Sequence, residues 1–306
     1  MVVQIPEHEQ ANTNKTKSPF VFRIHLVRHG ETEANRAGIV LGQIDSPLTN
    51  LGIQQAKAAH QTFGKKHNQF WKIFSSDLGR CVRTSNLILG LEDNDNGKNK
   101  EGKSFFNLDK RLRERGKGVR EGQSIHLTYE EAMQSFQERN RKRCDGNGNG
   151  EIVENISLLP LLENENQVMD RVNDWIEENI RDAYSHYCIE GGVGIPYDVL
   201  AISHSGTLRI LIENLVGKQL PHDVERDKVG KEGSQGGGGR LMIPNTSKTI
   251  IEFTMLGSDD DSADEESYGQ IRIAALKTEK GHEFVSSHGA KLVDFTNVSH
   301  FEYIVK

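Results

Sequence analysis

Apolar residues are spaced as a strand over 21–27, where Val21, Phe22, Ile24, Leu26 and Val27 form a run that stops on Arg28-His29-Gly30. A second run, 197–203, stops in the same way on His204-Ser205-Gly206. Shorter strands are expected over 71–75 and 105–108. Between the strands the spacing becomes helical. A helix over 49–65 places Ala56, Ala59 and Phe63 on one face. Another, over 76–89, has the stripe Leu78, Val82, Ser85 and Leu89 and is capped by Ser76 or Asp77. Thr128 and Glu131 form a capping box for a helix over 129–142. Val168, Val172, Trp175, Ile176 and Ile180 mark a strongly amphipathic helix, and Leu208, Leu211, Ile212 and Leu215 mark one more. Late in the chain, 247–255 and 270–275 read as two strands joined by the acidic loop 259–266, antiparallel at a sheet edge. The segment 282–306 has weak strand character and no assigned place. Alternating strands and helices predict an α/β fold: a three-layer α/β/α sandwich whose central sheet is mostly parallel with an antiparallel edge.

The polar and glycine-rich stretches interrupt this pattern without dividing it. Residues 1–20 read as a disordered tail with no apolar signal core. One domain is expected over 21–306, with flexible insertions near 91–104, 144–160, 217–240 and 257–269. A chain of 306 residues is long enough for a single large α/β domain of this kind. Its net charge of -6 argues against a general nucleic-acid binder. An anionic ligand would therefore need a local cationic pocket. Cys81, Cys144 and Cys188 lack any paired spacing, which fits a reducing, cytoplasmic compartment and argues against a disulfide scaffold or a zinc site. No apolar run approaches the length of a membrane span.

Asp145-Gly146-Asn147-Gly148-Asn149-Gly150 resembles the first half of a calcium-binding EF-hand loop. Its twelfth position is Ile156, where a bidentate Glu is required, so a flexible insertion is the expectation. The glycine run 236–239 lacks the Lys-Ser/Thr of a phosphate-cradling loop. The basic run 139–143 lies on an expected helix and reads as a solvated face.

The unusual polar residues fall at the strand ends. Arg28 and His29 follow the first strand, Arg80 follows the second by a few residues, Glu114 follows the third and His204 follows the fourth. In a parallel sheet these ends open on one edge, where α/β folds keep their ligand sites. Two arginines, two histidines and a carboxylate suit phosphoryl transfer. Guanidinium forks match the oxygens of a phosphate monoester and remain charged. A neutral imidazole nitrogen can attack phosphorus in line. A carboxylic acid can protonate the departing oxygen and then activate water. Glu121 is near enough in sequence to compete with Glu114 for that role, and Cys81, beside Arg80, reads as helix packing.

Leu26-Val27-Arg28-His29-Gly30-Glu31-Thr32 resembles the signature of the histidine phosphatase (phosphoglycerate mutase-like) superfamily. Asp45-Ser46-Pro47-Leu48-Thr49, Ser75-Ser76-Asp77-Leu78-Gly79-Arg80, Leu112-Arg113-Glu114, Ser203-His204-Ser205-Gly206 and Pro244-Asn245-Thr246 extend the resemblance in order along the chain. Within the superfamily, Arg111-Leu112-Arg113-Glu114-Arg115 followed by Gly118-Val119-Arg120-Glu121-Gly122 is closest to the fructose-2,6-bisphosphatase-like phosphatases of the TIGAR type. The resemblance implies His29 as the phosphorylated nucleophile and Glu114 as proton donor and acceptor. It implies Arg28, Arg80 and His204 as ligands of the transferring phosphoryl, with Asn35 assisting. It implies a small phosphorylated metabolite as substrate, such as a sugar phosphate, a bisphosphate or a phosphoglycerate. No metal or other cofactor is implied; with the charge and apolar pattern above, no nucleic acid and no membrane are expected as partners, and the oligomeric state stays open. The sequence departs from the family pattern at Ser205, where Gly is usual. It also departs in the loop 38–44, which reads Leu41-Gly42-Gln43, and at Leu162-Glu163-Asn164, where a Gly-Glu-Ser is common; the resemblance implies that these loops contact the organic half of the substrate. A mutase that returns the phosphoryl to a second hydroxyl is the alternative reading. A regulator that only binds phosphate esters is the third.

Overall fold

The computed structural model describes residues 18–91, 105–144, 160–190, 196–216, 226–227, 240–241, 243–255 and 290–297. Residues 1–17, most of the four expected insertions, the calcium-loop-like segment 145–156, the glycine run 236–239, the acidic loop 259–266 and the strand expected over 270–275 lie outside the described residues. In chain order the elements are β1 (Phe20–Arg28), α1 (Glu33–Arg36), α2 (Asn50–His60), β2 (Lys72–Ser75), α3 (Gly79–Leu89), β3 (Asn107–Leu108), α4 (Tyr129–Cys144), α5 (Glu165–Ile189), β4 (Tyr197–Ser203), α6 (Ser205–Val216), β5 (Arg226–Asp227), β6 (Arg240–Leu241), β7 (Lys248–Met255) and β8 (Ala290–Asn297).

The central sheet has the order β3-β2-β4-β1-β7-β8. The β3-β2, β2-β4 and β4-β1 pairs are parallel, and β7 and β8 each run antiparallel to the preceding neighbour. Parallel neighbours bury both faces, and strand alternation sorts the side chains between them. Phe20, Phe22, Ile24 and Leu26 of β1, Val199 and Ala201 of β4 and Phe74 of β2 join one core with α5 and α6. Val27, Leu200, Ile202 and Ile73 point the other way, into a core with Ala56 and Ala59 of α2 and Cys81 and Ile88 of α3. These two cores make the fold the expected α/β/α sandwich. Trp175 of α5 is fully buried and stands edge-on to Phe74 at 5.4 Å. No described helix is long and apolar enough to cross a membrane.

Register places the site. Arg28 lies opposite Ser203, and Ser75 lies opposite both Ile202 and Leu108. The carboxyl ends of β1, β2, β3 and β4 are therefore level on one edge.

Several boundaries differ from expectation for identifiable reasons. The helix expected over 49–65 ends at His60 and gives way to a 3-10 turn over Gly64–Gln69. A Cβ at Gly64 would lie 2.2 Å from the Ile88 carbonyl oxygen, so the chain passes too close to α3 there for a regular helix with side chains to continue. The helix expected from 76 starts at Gly79, and its cap residue Leu78 gives no side-chain hydrogen bond. Ser76 and Asp77 are used elsewhere: Ser76 meets His204, and Asp77 takes the fork of Arg113 at 2.6 and 2.7 Å. The strand expected over 105–108 is only Asn107–Leu108. The edge neighbour of β7 is Ala290–Asn297, from the segment with no assigned place, whereas 270–275 was the expected partner.

Candidate active site

β1 ends in a position that several segments hold. The His29 backbone N–H donates to the Ser203 carbonyl at 3.0 Å, Asn245 Nδ2 donates to the His29 carbonyl at 2.9 Å, and the Thr246 N–H donates to the Arg28 carbonyl at 3.0 Å. Thr246 adopts a left-handed backbone (φ 52°) rare for a β-branched residue, a local strain of the kind found where a turn serves a site. Gly30 follows because the chain passes α2 closely: a Cβ there would lie 2.5 Å from the Gly52 carbonyl oxygen.

The His29 ring is buried, and its Nδ1 lies 2.7 Å from the Gly30 carbonyl. A carbonyl only accepts, so Nδ1 carries the hydrogen and Nε2 keeps its lone pair. Burial first, then the charges of Arg28 and Arg80, hold the His29 pKa well below 6.5, so the ring is neutral near pH 7. His204 is also held neutral, by burial and then by Arg80 and His29. The two ring centres are 5.2 Å apart.

The arginines differ in what they have left to offer. Arg28 Nη1 donates to the Ile243 carbonyl at 2.6 Å, while its buried Nε has no partner among the described residues. Burial lowers its pKa to about 10, against the pull of Glu114, so it remains charged near neutrality. A buried guanidinium donor with nothing to bond is costly unless an acceptor arrives. Arg80 is almost completely buried and already engaged: Nη1 meets the Ile44 carbonyl at 2.7 Å and Asp45 at 3.2 Å, Nη2 meets the Gly42 carbonyl at 2.7 Å, and Nε donates to His204 Nδ1 at 3.2 Å. That last bond makes His204 Nδ1 an acceptor, so its Nε2 donates to Ser76 Oγ at 2.8 Å.

Glu114 rests on the first turn of α6. Its Oε2 accepts the Gly206 N–H at 3.0 Å and its Oε1 accepts the Arg115 N–H at 2.7 Å. A Cβ at Gly206 would come 2.3 Å from Oε1, so only glycine leaves room for this carboxyl. Ser203 Oγ and Thr207 Oγ1 donate to the Leu112 and Arg113 carbonyls, each at 2.7 Å, and stitch the Glu114 segment to the β4–α6 junction. Glu121 is removed from this role. Its Oε1 accepts the Gln43 and Lys117 N–H groups at 3.0 and 2.9 Å and fastens two loops together. Asn35 Oδ1 caps its own helix by accepting the Thr32 N–H at 3.3 Å, which leaves Nδ2 as the donor it can offer.

A cavity of about 170 Å³ gathers these groups and is lined by Arg28, His29, Asn35, Arg80 and Glu114. Five of the six residues expected from the sequence thus share one wall. His204 does not line it: it stands behind His29 with both ring nitrogens engaged by Arg80 and Ser76. Ile39, Val40, Leu41 and Gly42 line it from the loop 38–44; Lys117 lines it as well, and nothing in its local sequence marks it. Ser205, noted only as a departure, is on the wall too. Cys81 Sγ is buried 3.4 Å from the Ser203 carbonyl, and burial pushes its pKa up, so it is a packing thiol and not a nucleophile.

The chain is 30% identical over 206 residues to fructose-2,6-bisphosphatase TIGAR B of Danio rerio, covering 64% of this chain and 75% of that protein. It is 32% identical over 238 residues to probable phosphoglycerate mutase GpmB of Yersinia pestis, covering 76% and 86%. Among solved structures, mycobacterial hydrolase 2 shares the fold at a TM-score of 0.51 and 22% identity, with 91% of each chain covered. A family model for the histidine phosphatase superfamily (branch 1) matches residues 24–227, and the chain belongs to that superfamily.

Proposed function

We propose that the chain is a phosphomonoester hydrolase that works through a phosphohistidine on His29. The observation that carries this is one cavity lined by a neutral imidazole whose Nε2 keeps its lone pair and by Arg28, whose buried Nε has no partner among the described residues. Nε2 attacks phosphorus in line, the ester P–O bond breaks, and the departing oxygen takes the proton of the Glu114 carboxyl. Water then attacks phosphorus in line as the Glu114 carboxylate takes its proton; the P–N bond breaks, inorganic phosphate leaves and the imidazole recovers its lone pair. Arg28 and Arg80 meet the charge on the equatorial oxygens as it redistributes. His204 acts from behind, by holding Arg80 and packing on His29.

A cavity of about 170 Å³ suits a small ester and is well under the size of a drug-like site. One relative is named a fructose-2,6-bisphosphatase and another a probable phosphoglycerate mutase, so the substrate class we favour is a sugar phosphate, sugar bisphosphate or phosphoglycerate. The mutase name also sustains the second reading, in which a substrate hydroxyl replaces water in the second step. The unpaired spacing of the cysteines supports a reducing, cytoplasmic setting for this activity.

The test is chemical. A phosphorylated substrate labelled at phosphorus should transfer label to His29 in a single burst. His29→Ala should abolish labelling and lower turnover by at least about 10³-fold with the circular dichroism unchanged. Unchanged turnover in this variant overturns the reading. Release of inorganic phosphate, set against isomerisation of phosphoglycerate in the presence of a bisphosphate primer, separates phosphatase from mutase.

A further inference from the structure

We propose that Glu163 and Arg171 are positioning residues for the proton donor Glu114, acting through the loop that carries it. The proposal rests on the phosphatase reading above and deepens it. Neither residue touches the cavity. Together they grip the Glu114 segment from both sides. Arg171 Nη1 donates to the Arg111 carbonyl, and Nη2 reaches the Glu114 carbonyl at 3.4 Å. Glu163 Oε2 accepts the Gly116 N–H at 2.7 Å, and the Glu163 N–H donates to the Gly116 carbonyl at 3.1 Å. The two side chains lock to each other as a fork, Nε to Oε1 at 2.9 Å and Nη2 to Oε2 at 3.1 Å. Gln43 Nε2 adds a third hold on the Glu114 carbonyl at 3.3 Å.

An ion pair this buried, with side-chain exposures of 17% and 8%, adds little net stability over an apolar pair of the same volume. What it supplies is direction: it captures backbone groups of residues 111, 114 and 116, on either side of the acid. Burial opposes the charge on Glu163, but the Arg171 fork and the Gly116 N–H outweigh it and hold the carboxyl below its ordinary range. The clamp is thus charged at neutral pH, with both guanidinium–carboxylate hydrogen bonds in place. Among the described residues, the Glu114 carboxyl accepts two backbone N–H groups, one of them its neighbour's. A displacement of about 1 Å in its loop would therefore cost up to about 10²-fold in proton transfer.

The leaving group separates this role from a merely structural one. An alkyl phosphate such as glycerol 2-phosphate needs a proton as its oxygen departs, and p-nitrophenyl phosphate hardly does. Measured as kcat/KM, which reports the step that forms the phosphoenzyme, Arg171→Met should lose about 30- to 100-fold on glycerol 2-phosphate and less than about threefold on p-nitrophenyl phosphate. Glu163→Gln keeps an acceptor for the Gly116 N–H and should shift the same ratio less. It carries the comparison if Arg171→Met does not fold. Equal losses on both esters, or no loss on either, overturn the proposal alone. A wild-type protein that hydrolyses neither ester and forms no phosphohistidine overturns the phosphatase reading and this proposal with it.

Discussion

At the residue scale, the cost of keeping two imidazoles neutral inside the protein can be measured. Unfolded, His29 and His204 titrate near 6.5; folded, both stay neutral to well below that. Between those limits the unfolded chain binds more protons, so stability falls as pH drops below 6.5, and these groups contribute nothing above it. Urea denaturation of the wild type against His29→Asn should therefore show the variant losing less stability between about pH 7 and pH 5. Equal slopes would mean that His29 is not held neutral. Arg28, His29, Arg80 and Glu114, candidates that line the cavity, were legible from residue type and position, as cations, an imidazole and a carboxylate following successive strands. Lys117 was not, because it reaches the cavity from a loop whose path no periodicity reports. Residue type alone does not separate Glu114 from Glu121, since both sit in one dense run of charge; the family resemblance pointed to Glu114. Only the amides around each show which fastens loops and which faces the site.

At the element scale, apolar spacing identified the helices better than their ends. The stripe of α5 was read correctly because Val168, Val172, Trp175, Ile176 and Ile180 repeat at helical spacing and all are buried. The start of α3 was misplaced because Ser76 and Asp77 have the chemistry of caps but are spent on His204 and Arg113, partners 128 and 36 residues away. Local propensity carries no information about such long-range demands. Because α5 carries Arg171 and packs on β2 through Trp175, its anchoring is open to test. Trp175→Ala removes the ring that meets Phe74 edge-on and should cost about 3–5 kcal/mol, read as a lower urea midpoint. A loss under about 1 kcal/mol would show that the α5 face of the sheet repacks around the gap.

At the scale of the whole molecule, the layered sandwich followed from alternation, but one edge of the sheet did not. The partner of β7 is β8, recruited from a segment whose apolar signal was too weak to place. An edge strand is selected by backbone pairing as much as by side chains, so its sequence signature is faint. The site depends on the central strands, where the signature is strong, and this explains why it could be assembled in advance. It is built from β1, the 35–42 loop, α3, the 114–117 loop and the start of α6, segments that only folding brings together. An anion bound among them should therefore stabilise the entire domain. A ligand at 100 times its Kd adds about 2.7 kcal/mol, which for a domain of this size is a rise in Tm of roughly 5–10 °C. Orthovanadate, which resembles phosphorus during in-line transfer, should raise the Tm in this way. Arg28→Gln, which removes the buried donor left unpaired, should lose most of the shift while its own Tm without ligand stays near or above that of the wild type. An equal shift in both proteins would place the anion elsewhere and leave Arg28 a packing residue.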